Sequence, residues 1–273
     1  MPSHPLYSAN RMKLGVMAFN CSGGSTVTTA PEAWPMTWVD NVKLAQMCDQ
    51  AGFEALLPVG RWKGYGGTSN FNNRTFETLT WAAGLGAVTE QIAVLSTVHV
   101  PLMHPVAVAK QAATIDHITN GRFVLNIVCG WFRDEFEMFG AEWREHDRRY
   151  EYATEWLTLA RKLWTEEEAF DWDGEFFQGK GLWSQPKPIQ QGGPVIMNAG
   201  SSPVGQQFSA SQCDMNFVML RQKDEESDIA QIAGLKAMAA DHGRSSQCWI
   251  HVYVVCRDTE KEAEDALHRY VID

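Results

Sequence analysis

The sequence predicts an α/β fold, a parallel sheet covered by helices, and three observations predict it. Apolar, β-rich runs alternate with helix-period segments seven times along the 273 residues. The strand runs are near-continuously apolar, as expected of strands buried on both faces. The loop after the first strand, NCSGGSTVTTAPEAWP, contains no GxGxxG, which weakens an open dinucleotide-binding sheet. A TIM (β/α)8 barrel fits the length slightly better than an open doubly wound sheet, with the last β-α unit missing. A single domain over 1–273 is expected.

The elements follow in order. MKLGVMAF (12–19) reads as a strand, and TWVDNVKLAQMCDQAG as a helix with its stop at Gly52. FEALLPVG (53–60) is the second strand and FETLTWAAGLGAVT (76–89) the second helix. IAVLSTVHV (92–100) is the third strand. The third helix starts at Pro105, a good first-turn residue, and stops at Asn120-Gly121. FVLNIVCG follows as a strand and RRYEYATEWLTLARKLW (148–164) as a helix. VIMNAG (195–200), PVGQQFSASQ, DMNFVML (214–220) and SDIAQIAGLKAMAADHG continue the alternation. CWIHVYVVC (248–256) and TEKEAEDALHRYV complete it. Three connections, 20–36, 60–75 and 165–194, exceed a median loop. GRWKGYGGTSNFNNR suits a lid over a ligand. The segment 165–194 reads as a small hairpin insertion with a Pro-rich exit.

Composition excludes several classes. A formal net charge of −10 argues against nucleic acid or an acidic membrane surface as partner. No apolar stretch approaches the ~18 residues of a membrane span, and MPSHPLYSANRMK lacks a signal-peptide core. Six cysteines without CxxC spacing read as reduced thiols in a cytoplasmic protein. Eight histidines show no HExxH or similar spacing, so no metal site is expected. There is no GxSxG elbow and no Walker loop. Cys129 reads as a small hydrophobe facing helices rather than as a nucleophile.

Polar residues at strand ends carry what chemistry remains. Asn126 interrupts the apolar run FVLNIVCG and shares a face with Val124 and Val128. Facing helices, its amide would lack partners at a cost of ~1–3 kcal/mol. Facing inward near a barrel mouth it can bond a ligand, although satisfaction by neighbouring side chains is an equal alternative. Ser96, Thr97 and His99 end the preceding strand in the same way. Glu135 and Glu137 lie in a charge run whose default reading is a solvated turn. Arg148, Arg149 and Tyr150 open a helix, where cations are unfavourable unless an anion sits between them. That anion is either a phosphate or a carboxylate such as Asp147. NAGSSPVGQQFS places Gly200, Ser201 and Ser202 before a helix that begins at Pro203. It is a phosphate cradle or an ordinary Ser N-cap.

The combination ATIDxxxxGRF…NxVxGW, carried by HPVAVAKQAATIDHITNGRFVLNIVCGW, resembles the bacterial-luciferase-like flavin monooxygenases. RRYEYATEWLTLARKLW and NAGSSPVGQQFSA continue the resemblance, which is closest to the pyrimidine and dimethyl sulfone monooxygenase branch. It implies a luciferase-like TIM barrel that takes reduced FMN from a separate flavin reductase. Dioxygen would be the co-substrate, and a peroxyflavin would oxygenate and cleave a small organic substrate. A pyrimidine-like heterocycle, a sulfone or a flavin itself would fit. The resemblance implies flavin contacts at Gly60, Arg61, Asn126 and Glu135, and a phosphate and ribityl end at Arg149, Tyr150 and Ser202. Thr97 and Asn126 would act at the reactive edge. A homo-oligomer is expected. The alternative is a flavin- or deazaflavin-dependent hydride-transfer oxidoreductase, or a non-catalytic flavin carrier.

Overall fold

The computed structural model describes residues 4–221 and 224–271. The chain falls into two compact units, Met1–Leu95 with Val252–Asp273, and Ser96–His251.

In the first unit β1 (Gly15–Met17), α1 (Trp38–Gln50), β2 (Ala55–Leu57) and α2 (Thr78–Gly86) alternate, and β3 (Ala93–His99) begins there. The strands pair in parallel, Val16 opposite Leu56 and Ala55 opposite Ala93. Capping side chains start the helices. Thr37 Oγ1 accepts from Asp40 N at 3.1 Å. Glu77 accepts from Leu79 N at 2.9 Å and Thr80 N at 2.7 Å. Buried Asp49 accepts three successive backbone N–H groups, of Glu90, Gln91 and Ile92, at 2.7–2.9 Å, fixing the entry to β3. Leu56, Trp81 and Leu85 form this unit's core, where Trp81 Nε1 donates to Asn41 Oδ1 at 2.8 Å.

The second unit runs α3 (Pro105–Ile118), β4 (Phe123–Val128), α4 (Arg133–Phe139), α5 (His146–Thr165), β5 (Phe170–Asp173) and β6 (Gln178–Leu182). It continues through β7 (Val195–Asn198), α6 (Pro203–Gln212), β8 (Met215–Val218), α7 (Glu225–Asp241) and β9 (Gln247–Ile250). Its sheet order is β3-β4-β7-β8-β9, with parallel pairing of β4 with β7, β7 with β8 and β8 with β9. Burial of Phe123 through Ile127 on both faces of β4 matches the parallel-sheet expectation. Helix α3 ends where Asn120 and Gly121 take positive φ, 52° and 81°. Strands β5 and β6 form an antiparallel hairpin. Glu155 of α5 anchors it, accepting from Trp172 Nε1 at 3.1 Å, Phe176 N at 2.9 Å and Phe177 N at 3.0 Å. The last helix, α8 (Glu260–Val271), belongs to the first unit and buries no residue.

Three expectations are corrected. The apolar run 248–256 is strand only over Gln247–Ile250, because its partner β8 ends at Val218, opposite Ile250. The first two strands shorten to three residues each. The charge run before the long helix is not a solvated turn but the helix α4. The loop 60–75 closes on itself: Gly66 N donates to Asn70 Oδ1 at 3.0 Å, and Tyr65 stacks on Phe71 at 5.9 Å.

Candidate active site

The second unit gathers polar groups where β3 and β4 end. Residues Leu125 and Ile127 are fully buried, and between them Asn126 points to the opposite face. Its Nδ2 donates to Thr97 Oγ1 at 3.1 Å, so the two polar interruptions of neighbouring strands meet. Asn126 Oδ1 is buried and accepts no bond among the described residues. An acceptor left in that state costs ~1–3 kcal/mol. The amide is therefore only half satisfied by the protein.

Beyond β4 the chain turns at Gly130, with φ 80°. A Cβ there would lie 2.6 Å from the Phe136 ring, so both the backbone angle and the close approach require glycine. Phe136 packs edge-on against Trp143 at 4.8 Å, and this seats α4. Glu135 and Glu137, two residues apart on that helix, face opposite ways. Glu137 is exposed and pairs with Arg133 at 3.1 Å. Glu135 is buried, and its Oε2 lies 3.6 Å from His99 Nε2 at the end of β3.

The start of α5 separates two arginines. Arg148 is partly exposed and pairs with Glu151 and Glu175, whose carboxylates raise its pKa. Asp147, the carboxylate offered as the alternative to a phosphate, meets His146 at 2.7 Å. Arg149 turns inward. Its Nη1 donates to the carbonyl of Gly130 at 2.5 Å, and its guanidinium stacks over Trp143 at 4.7 Å. Its Nε is buried and donates to no partner among the described residues. Burial pushes the Cys129 thiol up to about 12, against the pull of Arg149, so this thiol is no nucleophile near neutral pH.

At the end of β7, Ser202 is the N-cap of α6, its Oγ accepting from Gly205 N at 3.2 Å, with Pro203 in the first turn. The ordinary cap is therefore real. Tyr150 reaches the same corner. Its pKa is raised by burial, chiefly, and then by Cys129, while a hydrogen bond to Ser202 lowers it. A Cβ on Gly205 would sit 2.5 Å from Tyr150 Oη, and one on Gly200 would sit 2.8 Å from Gly205 Cα. Both glycines thus permit the close approach that joins Tyr150 to Ser202. Asn198, which sequence reasoning did not single out, holds the strand end.

Thr97, Asn126, Glu135, Arg149, Tyr150 and Ser202 all lie in the second unit. Gly60 and Arg61 belong to the first, where both are buried and Arg61 stacks over Tyr65 at 5.0 Å. Burial raises the nearby Cys21 thiol to about 12, opposed by Arg61. No cluster of His, Cys, Asp and Glu among the described residues suits a metal ion.

The luciferase-like monooxygenase family matches residues 12–273. The chain belongs to this family. It is 34% identical over 267 residues to an FMNH2-dependent dimethylsulfone monooxygenase of Pseudomonas fluorescens, covering 97% of this chain and 70% of that protein. A pyrimidine monooxygenase of Acinetobacter baylyi is 35% identical over 257 residues, covering 92% of this chain and 68% of that protein. The chain spans 66% of the related dimethylsulfone monooxygenase of Pseudomonas putida, at 33% identity over 91% of its own length. Among solved structures, EDTA monooxygenase from Chelativorans sp. BNC1 superimposes with a TM-score of 0.85 at 19% identity, over 96% of this chain and 67% of that one. A riboflavin lyase structure gives 0.83 at 23% identity, over 96% of this chain and 66% of that one. These likenesses establish the fold, an α/β barrel of the luciferase-like type.

Proposed function

We propose that this luciferase-like chain is the oxygenase of a two-component flavin monooxygenase. It takes reduced FMN from a separate reductase and uses dioxygen to oxygenate and cleave a small organic substrate. Pyrimidine-like rings, sulfones and flavins are the substrate classes, in keeping with the names of its relatives and structural neighbours. The observation that carries the reading is the half-satisfied amide of Asn126, held by Thr97 with its oxygen buried and unpartnered among the described residues.

The residues fit the cofactor. Asn126 Oδ1 is an acceptor for a ring N–H, and reduced isoalloxazine offers such donors. Arg149 keeps its buried Nε as a donor while its guanidinium stacks on Trp143, which suits a phosphate. Ser202 and Tyr150, joined at the start of α6, suit the phosphate and ribityl end. Glu135, carried beside His99, would accept from the flavin's polar edge. Bound there, reduced FMN supplies the electrons that activate dioxygen.

The chain's own groups do the rest. The amide bond from Asn126 polarises the Thr97 hydroxyl and strengthens it as a donor. Thr97, oriented by Asn126, would hold the reacting oxygen by a hydrogen bond aimed before reaction. Buried surroundings keep water away from that oxygen, which favours transfer to substrate over release as hydrogen peroxide. We further propose a single barrel domain over 1–273 with its insertion at 165–194, and a cytoplasmic homo-oligomer. No helix among the described residues is long and apolar enough to cross a membrane.

The test is a single-turnover reaction with pre-reduced FMN, dioxygen and a panel of uracil-like rings, dialkyl sulfones and riboflavin. Oxygenated product from one class, in yield approaching the flavin oxidised, is expected. Hydrogen peroxide alone across the panel would overturn the reading.

A further inference from the structure

We infer that Asn198 is a positioning residue that sets the turn Gly200–Ser202 for a phosphate; this rests on the reading of Arg149 and Ser202 as the phosphate end. Asn198 ends β7 and is 2% exposed. Its Nδ2 donates to the carbonyl of Ile127, on the neighbouring strand β4, at 2.6 Å. Its Oδ1 accepts from Gly200 N at 2.7 Å. One side chain therefore ties the backbone that follows β7 to the end of β4. The tie is buried, where a hydrogen bond is strong and costly to break.

The geometry leaves little room for another arrangement. A Cβ on Gly200 would lie 2.8 Å from Asn198 Oδ1 and 2.8 Å from Gly205 Cα. Gly200 is thus pressed between the amide of Asn198 and the first turn of α6. Gly205 in turn donates to Ser202 Oγ at 3.2 Å and passes close under Tyr150. The path of Gly200–Ser202, and with it the direction of the α6 N-terminus, follows from where the Asn198 amide sits. Both amide atoms are spent on backbone, so Asn198 acts through the turn rather than by touching a ligand. The other end of the tie matters equally. Ile127 directly follows Asn126, and Gly130, the acceptor for Arg149, lies three residues further on. Asn198 therefore fixes the turn that bears Ser202 relative to the strand end that bears Asn126 and leads to the acceptor for Arg149.

A phosphate is bound by several donors at once, so it feels a shift in that spacing more than a ring held in a broad contact does. The experiment compares FMN with riboflavin, both reduced, in anaerobic titrations of the wild type, Asn198→Ala and Asn198→Asp. Asp has the same shape and keeps the acceptor for Gly200 N, but loses the donor to Ile127. The wild type is expected to prefer FMN at least tenfold. Asn198→Ala is expected to lose about tenfold in FMN affinity with less than a twofold change for riboflavin. Asn198→Asp is expected to lose as much or more, since it also sets a carboxylate near the phosphate, and it supplies the answer if the alanine variant does not fold. Inorganic phosphate should compete with FMN for the wild type and less well for either variant. An unchanged FMN-to-riboflavin preference in the folded variants, or equal losses for both ligands, would overturn the positioning role alone. No preference in the wild type would overturn the phosphate reading itself, and the inference with it.

Discussion

Asn126 and Asn198 are the same residue type, buried in neighbouring parallel strands at their C-terminal ends, yet their hydrogen bonds are opposite. Asn198 spends both amide atoms on backbone, at 2.6 and 2.7 Å. Asn126 spends its donor on Thr97 and leaves its acceptor bare among the described residues. A buried polar group that the protein satisfies completely holds structure; one left half satisfied costs stability and marks where a ligand completes it. Four measurements can break or sharpen that contrast.

The largest effect is expected at the unsatisfied member. Asn126→Ala and Thr97→Ala should still fold, because each truncates a polar side chain and leaves the apolar neighbours Leu125 and Ile127 in place. Donors preorganised at a reacting oxygen are typically worth ~2.7–4 kcal/mol. Oxygenated product per flavin oxidised should fall about 100-fold or more, with hydrogen peroxide taking its place. Unchanged coupling in both variants would make Asn126 a lining residue, and the contrast with Asn198 would collapse.

Next is Arg149, whose Nε shares the unsatisfied character of Asn126. Removing a charge-assisted bond costs ~1.5–3 kcal/mol, so Arg149→Ala should weaken FMN tenfold or more in a fluorescence titration. Riboflavin should barely respond. Arg148→Ala, one residue earlier and paired with exposed carboxylates, is the control that should leave FMN affinity as it was.

The third effect falls on folding. Asn198→Ala strands the buried carbonyl of Ile127 and the N–H of Gly200, so it should lower the unfolding free energy in urea by ~1–3 kcal/mol. Asn126→Ala should lower it less, since it also deletes an acceptor that had no partner. A larger loss at Asn126 than at Asn198 would invert the comparison.

The smallest effect concerns Cys129, three residues past Asn126. Its folded thiol titrates near 12, above the ~8.5 of an unfolded cysteine. A raised folded pKa stabilises fully below the unfolded value and is lost as pH rises through the folded one, so its contribution declines between about 8.5 and 12. At pH 8 iodoacetamide should label exposed Cys256 and spare Cys129 until the protein unfolds. Fast native labelling of Cys129 would place a reactive thiol in the site and reopen its reading as a nucleophile.

Much of this was legible before any coordinates. The β-α alternation was visible because strand runs and helix periods differ in spacing, and α3 ended at Asn120-Gly121 because those residues tolerate positive φ. Asn126 was conspicuous because an amide breaks an apolar run. Asn198 was not, because an Asn before Ala-Gly reads as the start of a turn. Glu135 was obscured by its neighbours: a charge run looks solvated until a helix turns alternate members to opposite sides.

The sequence by itself determined the element order, the apolar strands, the absence of a dinucleotide fingerprint and the residue types at the strand ends. Those depend on local spacing and composition, which a chain carries whether folded or not. Only the tertiary structure decided which polar atoms were satisfied. It paired Asp147 with His146 and Arg148 with two glutamates, turned Arg149 inward, and ended β9 where its partner ended. It closed Asn198 on the backbone and left Asn126 Oδ1 without an acceptor's partner among the described residues. Hydrogen-bond satisfaction depends on what lies within about 3 Å in space, and residues 29 or 71 positions apart in the chain supply it here.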